Sequence, residues 1–150
     1  MNRKEREITD IHEIEEILHK ANILRIALCE NDTPHIIPVN FGYNQRAIYI
    51  HGSKKGKKID ILNRNNNISF EVEIDTELVR SEKACGYTMK YKSVIGFGKA
   101  FFVYDFKEKK KALDTIMSHY STGFFDYPLE IIEKTCIIRI DIESMTGKKS

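Results

Sequence analysis

The chain has 150 residues, 41% of them hydrophobic and 31% charged, the make-up of a single globular domain spanning 1–150 and not of a disordered tail. Its 24 basic and 22 acidic residues leave a net charge of +2, which argues against a dedicated nucleic-acid binder while leaving room for a local anion site. At this size roughly 70% of the unfolded surface is buried on folding, so neither a disulfide nor a metal is required to hold a core.

The start, Met1-Asn2-Arg3-Lys4-Glu5-Arg6-Glu7, is charged with no apolar stretch behind it, so no secretory signal is expected. Nor does any run approach the ~20 apolar residues of a membrane span. Cys29, Cys85 and Cys136 have no metal-like spacing, and free thiols in a reducing, cytoplasmic setting are expected. Thr9 and Asp10 offer N-cap side chains ahead of Ile11, Ile14, Leu18 and Ala21, a spacing that predicts an amphipathic helix over 11–20. A β-like run over 23–28, a turn at 30–34 and a strand over 35–43 follow. Pro38 in that strand has no N–H to give, so it requires an edge, a bulge or a ligand-facing gap. A third strand is predicted over 47–51.

The composition then changes. Gly52-Ser53-Lys54-Lys55-Gly56-Lys57-Lys58 leads into Ile59, Ile61 and Leu62, which suit a short helix ending among asparagines. Ile68, Phe70, Val72 and Ile74 alternate with polar residues and predict a strand. Residues 78–90 show no period and read as a long loop. Residues 91–104 form a β candidate interrupted at Gly96 and Gly98, where bulges are expected. A helix over 107–119, a strand over 136–142 and a tail complete the pattern. Strands joined by short turns, with no regular βαβ alternation, predict a mainly β fold with covering helices, a small antiparallel barrel.

The segment 51–58 carries the most chemistry. A strand runs into two glycines, a serine and four lysines, and then a helix opens. Glycine lets backbone N–H groups converge on an anion, and the helix start adds partial positive charge. Three residues separate Gly52 from Gly56, and Lys58 stands where a hydroxyl would be needed, so the turn is not a nucleotide-binding P-loop. A solvated basic turn is the bland alternative. His51, at the strand end beside it, reads either as a structural residue or as a ligand-contacting one able to exchange a proton near neutral pH. His12, His19, His35 and His119 form no set with carboxylates or cysteines, so no metal site is expected. Cys85, near Lys83 and Lys90, is either a thiol poised as thiolate or an ordinary one. Gly-x-Ser-x-Gly is absent, and no carboxylate pair stands out.

Taken together, Pro38-Val39-Asn40-Phe41-Gly42-Tyr43, Ile48-Tyr49-Ile50-His51-Gly52-Ser53, Gly56-Lys57-Lys58 and Tyr91-Lys92-Ser93-Val94-Ile95-Gly96-Phe97-Gly98-Lys99-Ala100 resemble the FMN-binding split-barrel superfamily. The chain is most similar to its pyridoxamine 5′-phosphate oxidase-like group, which includes the Nim-type nitroimidazole resistance proteins. Met145-Thr146-Gly147-Lys148 is similar to the ending of that group. The resemblance implies a homodimer of six-stranded antiparallel split β-barrels with FMN at the subunit interface. It places Pro38, Val39 and Asn40 along the isoalloxazine and His51, Gly52 and Ser53 along the ribityl and phosphate. Lys57 and Lys58 would hold the phosphate, and Ser93 would contact the flavin. It further implies that His51 takes part in reductive chemistry. The oxidases that name the group carry a C-terminal Arg- and Trp-containing segment; this sequence has no Trp, which argues against pyridoxamine phosphate as substrate.

Two functions follow from these residues. One is an FMN-dependent oxidoreductase passing electrons to a small nitroaromatic, with His51 as proton donor. The other is a non-enzymatic module storing or sensing flavin or haem, with His51 or His119 as axial ligand. Nucleic-acid binding through the lysine cluster fails for want of interleaved aromatics.

Overall fold

The computed structural model describes residues 3–150; Met1 and Asn2, the first two residues of the charged start, lie outside them. Strand β1 (Glu7–Ile8) leads into helix α1 (Ile11–Lys20), where the Asp10 carboxylate accepts from the His12 N–H at 2.9 Å and so satisfies a first-turn donor. Ile14, Ile17 and Leu18 form its buried stripe. Strands β2 (Leu24–Glu30) and β3 (Thr33–Val39) are joined by Asn31 and Asp32. Both take positive φ, 49° and 64°, which matches a tight hairpin to the twist of its strands. Strands β4 (Gly42–Asn44) and β5 (Ala47–Gly52) repeat the device through Gln45 and Arg46. Helix α2 (Lys57–Arg64), the long strands β6 (Asn67–Val79) and β7 (Thr88–Val103), helices α3 (Phe106–Tyr120) and α4 (Leu129–Lys134), and strand β8 (Cys136–Lys149) complete the chain.

The strands pair antiparallel in one sheet, β3-β2-β6-β7-β8-β5-β4, with β1 alongside β8. The fold is thus mainly β with covering helices, as expected, but with eight strands among the described residues instead of six and with the sheet left open. The stretch 35–43, predicted as one strand, breaks at Asn40 and Phe41 into β3 and β4, which lie on opposite edges of the sheet. Pro38 indeed falls on an edge strand. The predicted loop 78–90 shrinks to 80–87, because β6 and β7 continue pairing out to Val79 and Thr88. The predicted tail is strand as well. Lys92 to Phe97 pair with Ser144 to Lys149, and the register shifts between Phe97 and Gly98, so that Glu143 faces no partner. That single extra residue moves the inward positions of β8 from Ile138, Ile140 and Ile142 to Met145 and Gly147. The alternation is broken at that point, which hides the strand from a periodicity reading.

Inside the curl, Ile26, Phe41, Ile48, Ile50, Phe70, Val72 and Ile138 form the core, closed by the buried stripes of α1 and α2. On the other side of β5 and β8, Ala112 and Leu113 of α3 pack on Tyr49, Val103 and Ile137. Helix α3 also comes down directly onto Gly42. A Cβ there would sit 2.5 Å from the Thr115 carbonyl oxygen and 2.7 Å from the Ile116 nitrogen. Those are backbone atoms of the helix and cannot step aside singly. Gly42→Ala should therefore lower stability by about 1–3 kcal/mol, the usual cost of overpacking. Urea unfolding would show it, and an unchanged midpoint would mean that α3 does not bear on β4.

Candidate functional site

The basic turn takes its shape from three residues. Strand β5 ends at Gly52, opposite Cys136 of β8. The Ser53 hydroxyl accepts from the Lys55 N–H at 3.2 Å, which tightens the turn. Gly56 has φ 129° and ψ 172°, a conformation closed to residues with a Cβ, and it launches α2 with no side chain capping its first N–H groups. Lys58, in the first turn of the helix, folds back so that its Nζ lies 3.2 Å from the place a Cβ on Gly52 would take. The backbone of Gly52, the open start of α2 and the Lys58 ammonium thus surround one small space. No carboxylate among the described residues pairs with Lys54, Lys55, Lys57 or Lys58. Uncapped N–H donors and unpaired ammoniums suit a phosphate.

His51 is exposed on β5 and pairs with Ile137 of β8. Carried two residues past its last pair, Gly42 with Tyr49, the β4/β5 ladder would bring Asn40 beside His51. Pro38 and Val39 lie just ahead, at the end of β3. His51, Gly52, Ser53, Lys57 and Lys58 thus follow one another through the end of β5 and the start of α2, while Pro38, Val39 and Asn40 lie where the chain leaves β3 for β4. Ser93 is not among them. It pairs with Glu73 and Lys148, whereas Val103 of the same strand reaches Ile137 beside His51, so Ser93 lies roughly 30 Å away along β7.

The gap is braced by residues to which the sequence reading gave no such part. The Tyr120 hydroxyl accepts from the Phe41 N–H at 3.0 Å and donates to the Asn22 carbonyl at 2.8 Å. The His119 ring packs on Phe41 at 4.4 Å between centroids, tilted by 48°, and its Nε2 donates to the Ala21 carbonyl at 2.5 Å. His119 Nδ1 is buried without a hydrogen-bond partner. Burial pushes the His119 imidazole below its ordinary value, so the ring is held neutral. With one nitrogen engaged and the other enclosed, His119 has no edge to offer an axial site, and His51 is left as the exposed histidine at the gap.

The outward face of β2, β3, β6 and β7 carries exposed apolar side chains. Ile36 is 71% exposed, Phe97 55% and Ile95 47%. In their midst Arg25 pairs with Glu73 at 2.8 Å and Glu71 at 3.5 Å. Burial, and then the hydrogen bond and charge of Glu73, push the Glu71 carboxyl up to about 7 against the pull of Arg25. Among the described residues no cluster of three or more His, Cys, Asp or Glu is placed to hold a metal ion, and no helix is long and apolar enough to cross a membrane.

The model of the pyridoxamine 5′-phosphate oxidase family matches residues 10–149. The chain belongs to that family. A candidate 5-nitroimidazole antibiotic resistance protein from Bacteroides thetaiotaomicron is 33% identical, with a TM-score of 0.87 over 95% of this chain and 86% of that one. The flavocytochrome Anf3 from Azotobacter vinelandii has the same fold at 20% identity, with a TM-score of 0.87 over 100% of this chain and 72% of its own. So does an FAD and haem binding protein from Mycobacterium smegmatis, at 18% identity and a TM-score of 0.87 over 97% and 73%. Among curated proteins none matches the sequence.

The brace has a pH signature. The unfolded chain protonates His119 near 6.5, whereas the fold resists that proton. Its contribution to stability is complete above that pH and is lost as pH falls below it. His119→Gln, which keeps a donor for the Ala21 carbonyl, should show a smaller fall in urea midpoint between about pH 7.5 and 5.5 than the wild type. Parallel curves for the two proteins would refute the assignment.

Proposed function

We propose that this protein binds FMN at the gap between β3, β4 and β5 and passes an electron pair to a small nitroaromatic acceptor. The cradle formed by Gly52, Gly56 and Lys58 carries the reading, since its uncapped N–H groups and free ammonium suit an anion directly after His51. Kinship with the Bacteroides candidate resistance protein supports the nitroaromatic class, and the Azotobacter and Mycobacterium proteins show that this fold is used by flavin-binding proteins. In this reading Lys57 and Lys58 hold the phosphate. His51, Gly52 and Ser53 follow the ribityl chain, and Pro38, Val39 and Asn40 line the ring system.

The bound flavin, once reduced, supplies the electrons; the chain supplies geometry and protons. Taking a nitro group to nitroso consumes two electrons and two protons and releases one water. His51, exposed at the gap, gives the first proton from its imidazolium and takes another from solvent. A second copy of the chain seats on the outward face around Ile36, Ile95 and Phe97, an apolar patch of the kind that marks an interface. Dimerisation also gives Ser93 a part, because a residue remote from the cradle in its own subunit can face the flavin of the other. Light scattering should find a dimer at micromolar concentration, and a monomer that still holds FMN tightly would exclude the shared site.

Two substitutions test the cradle and the acid. Lys57→Ala with Lys58→Ala should weaken FMN at least about tenfold while riboflavin binding changes little, since each charge-assisted hydrogen bond is worth about 1.5–3 kcal/mol. Equal losses for the two ligands would remove the lysines from the phosphate. His51→Ala should keep FMN but slow single-turnover reoxidation of the reduced protein by a 5-nitroimidazole by about 10²–10⁴-fold across roughly pH 5.5–8.5. A mutant as fast as the wild type would end the proton-donor role. A Soret band in the purified protein, with no reoxidation by either form, would favour the haem-binding module instead.

A further inference from the structure

Lys109, on α3, is 7% exposed although its side chain ends in an ammonium. Its Nζ donates to the Thr135 carbonyl at 2.9 Å and the Ile132 carbonyl at 3.2 Å, both at the end of α4. Those neutral acceptors occupy two of its three N–H groups. No carboxylate among the described residues lies within ion-pair distance of it. A charge withdrawn from water without a counter-charge is an unfavourable arrangement that an anion would relieve.

The same side chain lines a half-open cavity of about 260 Å³ between α2, α3 and the adjoining ends of β7 and β8. Ile59, Phe102, Val103 and Ile137 give it apolar walls, and Lys54 brings a second unpaired ammonium from the basic turn. Lys58 is directed at Gly52 and does not line this space, which adjoins the phosphate cradle through Lys54 and through Cys136, the strand partner of Gly52. We infer that the cavity binds a small amphiphilic carboxylate, with its two oxygens between Lys109 and Lys54 and its apolar body against Phe102, Val103 and Ile137. One free N–H on Lys109 and an ammonium on Lys54 match the two oxygens of a carboxylate. A bare phosphate would leave the apolar walls uncovered. The inference stands independently of the flavin reading.

Benzoate serves as the probe, titrated into the purified protein with and without added FMN and followed by calorimetry and amide NMR. Saturable binding is expected, with the amide resonances of Phe102, Val103 and Ile137 shifting. Benzyl alcohol, similar in shape but uncharged, should bind at least about tenfold more weakly. Lys109→Met, which keeps the stem in its slot, should lose about tenfold in benzoate affinity while leaving FMN binding unchanged. If that variant does not fold, the exposed Lys54→Met carries the comparison and should weaken benzoate several-fold. Equal binding of benzoate and benzyl alcohol, absence of saturation, or competitive displacement of benzoate by FMN would each overturn the inference. A protein that binds benzoate but no FMN would refute the flavin reading and leave this one standing.

Discussion

Two residues govern this architecture. Strands β3 and β4 are the opposite edges of one sheet, yet only Asn40 and Phe41 separate them in sequence. The step from Val39 to Gly42 spans at most about 11 Å, so at that end the two edges must come nearly together. A sheet under that constraint cannot stay open and flat. It curls around its apolar face, and Phe41, wholly buried, fills the seam where closure would otherwise be completed by hydrogen bonds. What remains is a barrel with a slit, and the slit is where backbone and ligand-type side chains meet.

The slit needs reinforcement, because edge backbone without a partner strand is poorly held. Helix α3 provides it from outside by resting on Gly42 and by tying the Phe41 N–H and the Ala21 and Asn22 carbonyls through its last two residues. Asn40 and His51 are therefore displayed on a rigid frame although they belong to the least regular part of the sheet. The basic turn is fixed in a similar way. Gly52 leaves room for Lys58, and Gly56 sets the angle at which α2 departs. Placement of the cationic groups thus depends on two residues with no side chain at all.

Local signals were readable wherever one periodicity operated without interruption. The cap at Asp10 and the stripe of Ile14 and Leu18 mark α1, and the alternation from Ile68 to Ile74 marks β6. The lysine-glycine run marks a basic turn, with Gly56 at positive φ where the sequence places a glycine ahead of α2. Signals failed where tertiary geometry intervened. The extra residue at Glu143 inverts the inward positions of β8 and disguises half of it as a tail. The break at Asn40 shows no composition change, since it arises from the sheet edges meeting and not from local preference. Lys109 sits in an ordinary-looking lysine run, and only the packing of α3 on α4 buries it. His119, read in the sequence as a possible axial ligand, is turned by the fold toward Ala21 and Phe41 instead.

In an antiparallel pair, alternate residues turn both backbone groups away from the neighbour, and prolines survive only in those outward positions. Pro34, Ile36 and Pro38 share that parity on β3, which has β2 on one side and no strand on the other. Of the three outward nitrogens only that of Ile36 carries a hydrogen. A second strand approaching this margin would find carbonyl oxygens but almost no donors, so it could not zip onto the sheet in register. The two prolines thus block runaway strand-on-strand aggregation at the one long margin the fold leaves bare. Association of this protein with copies of itself is left to the broad faces of the sheet, where side chains and not backbone decide the fit.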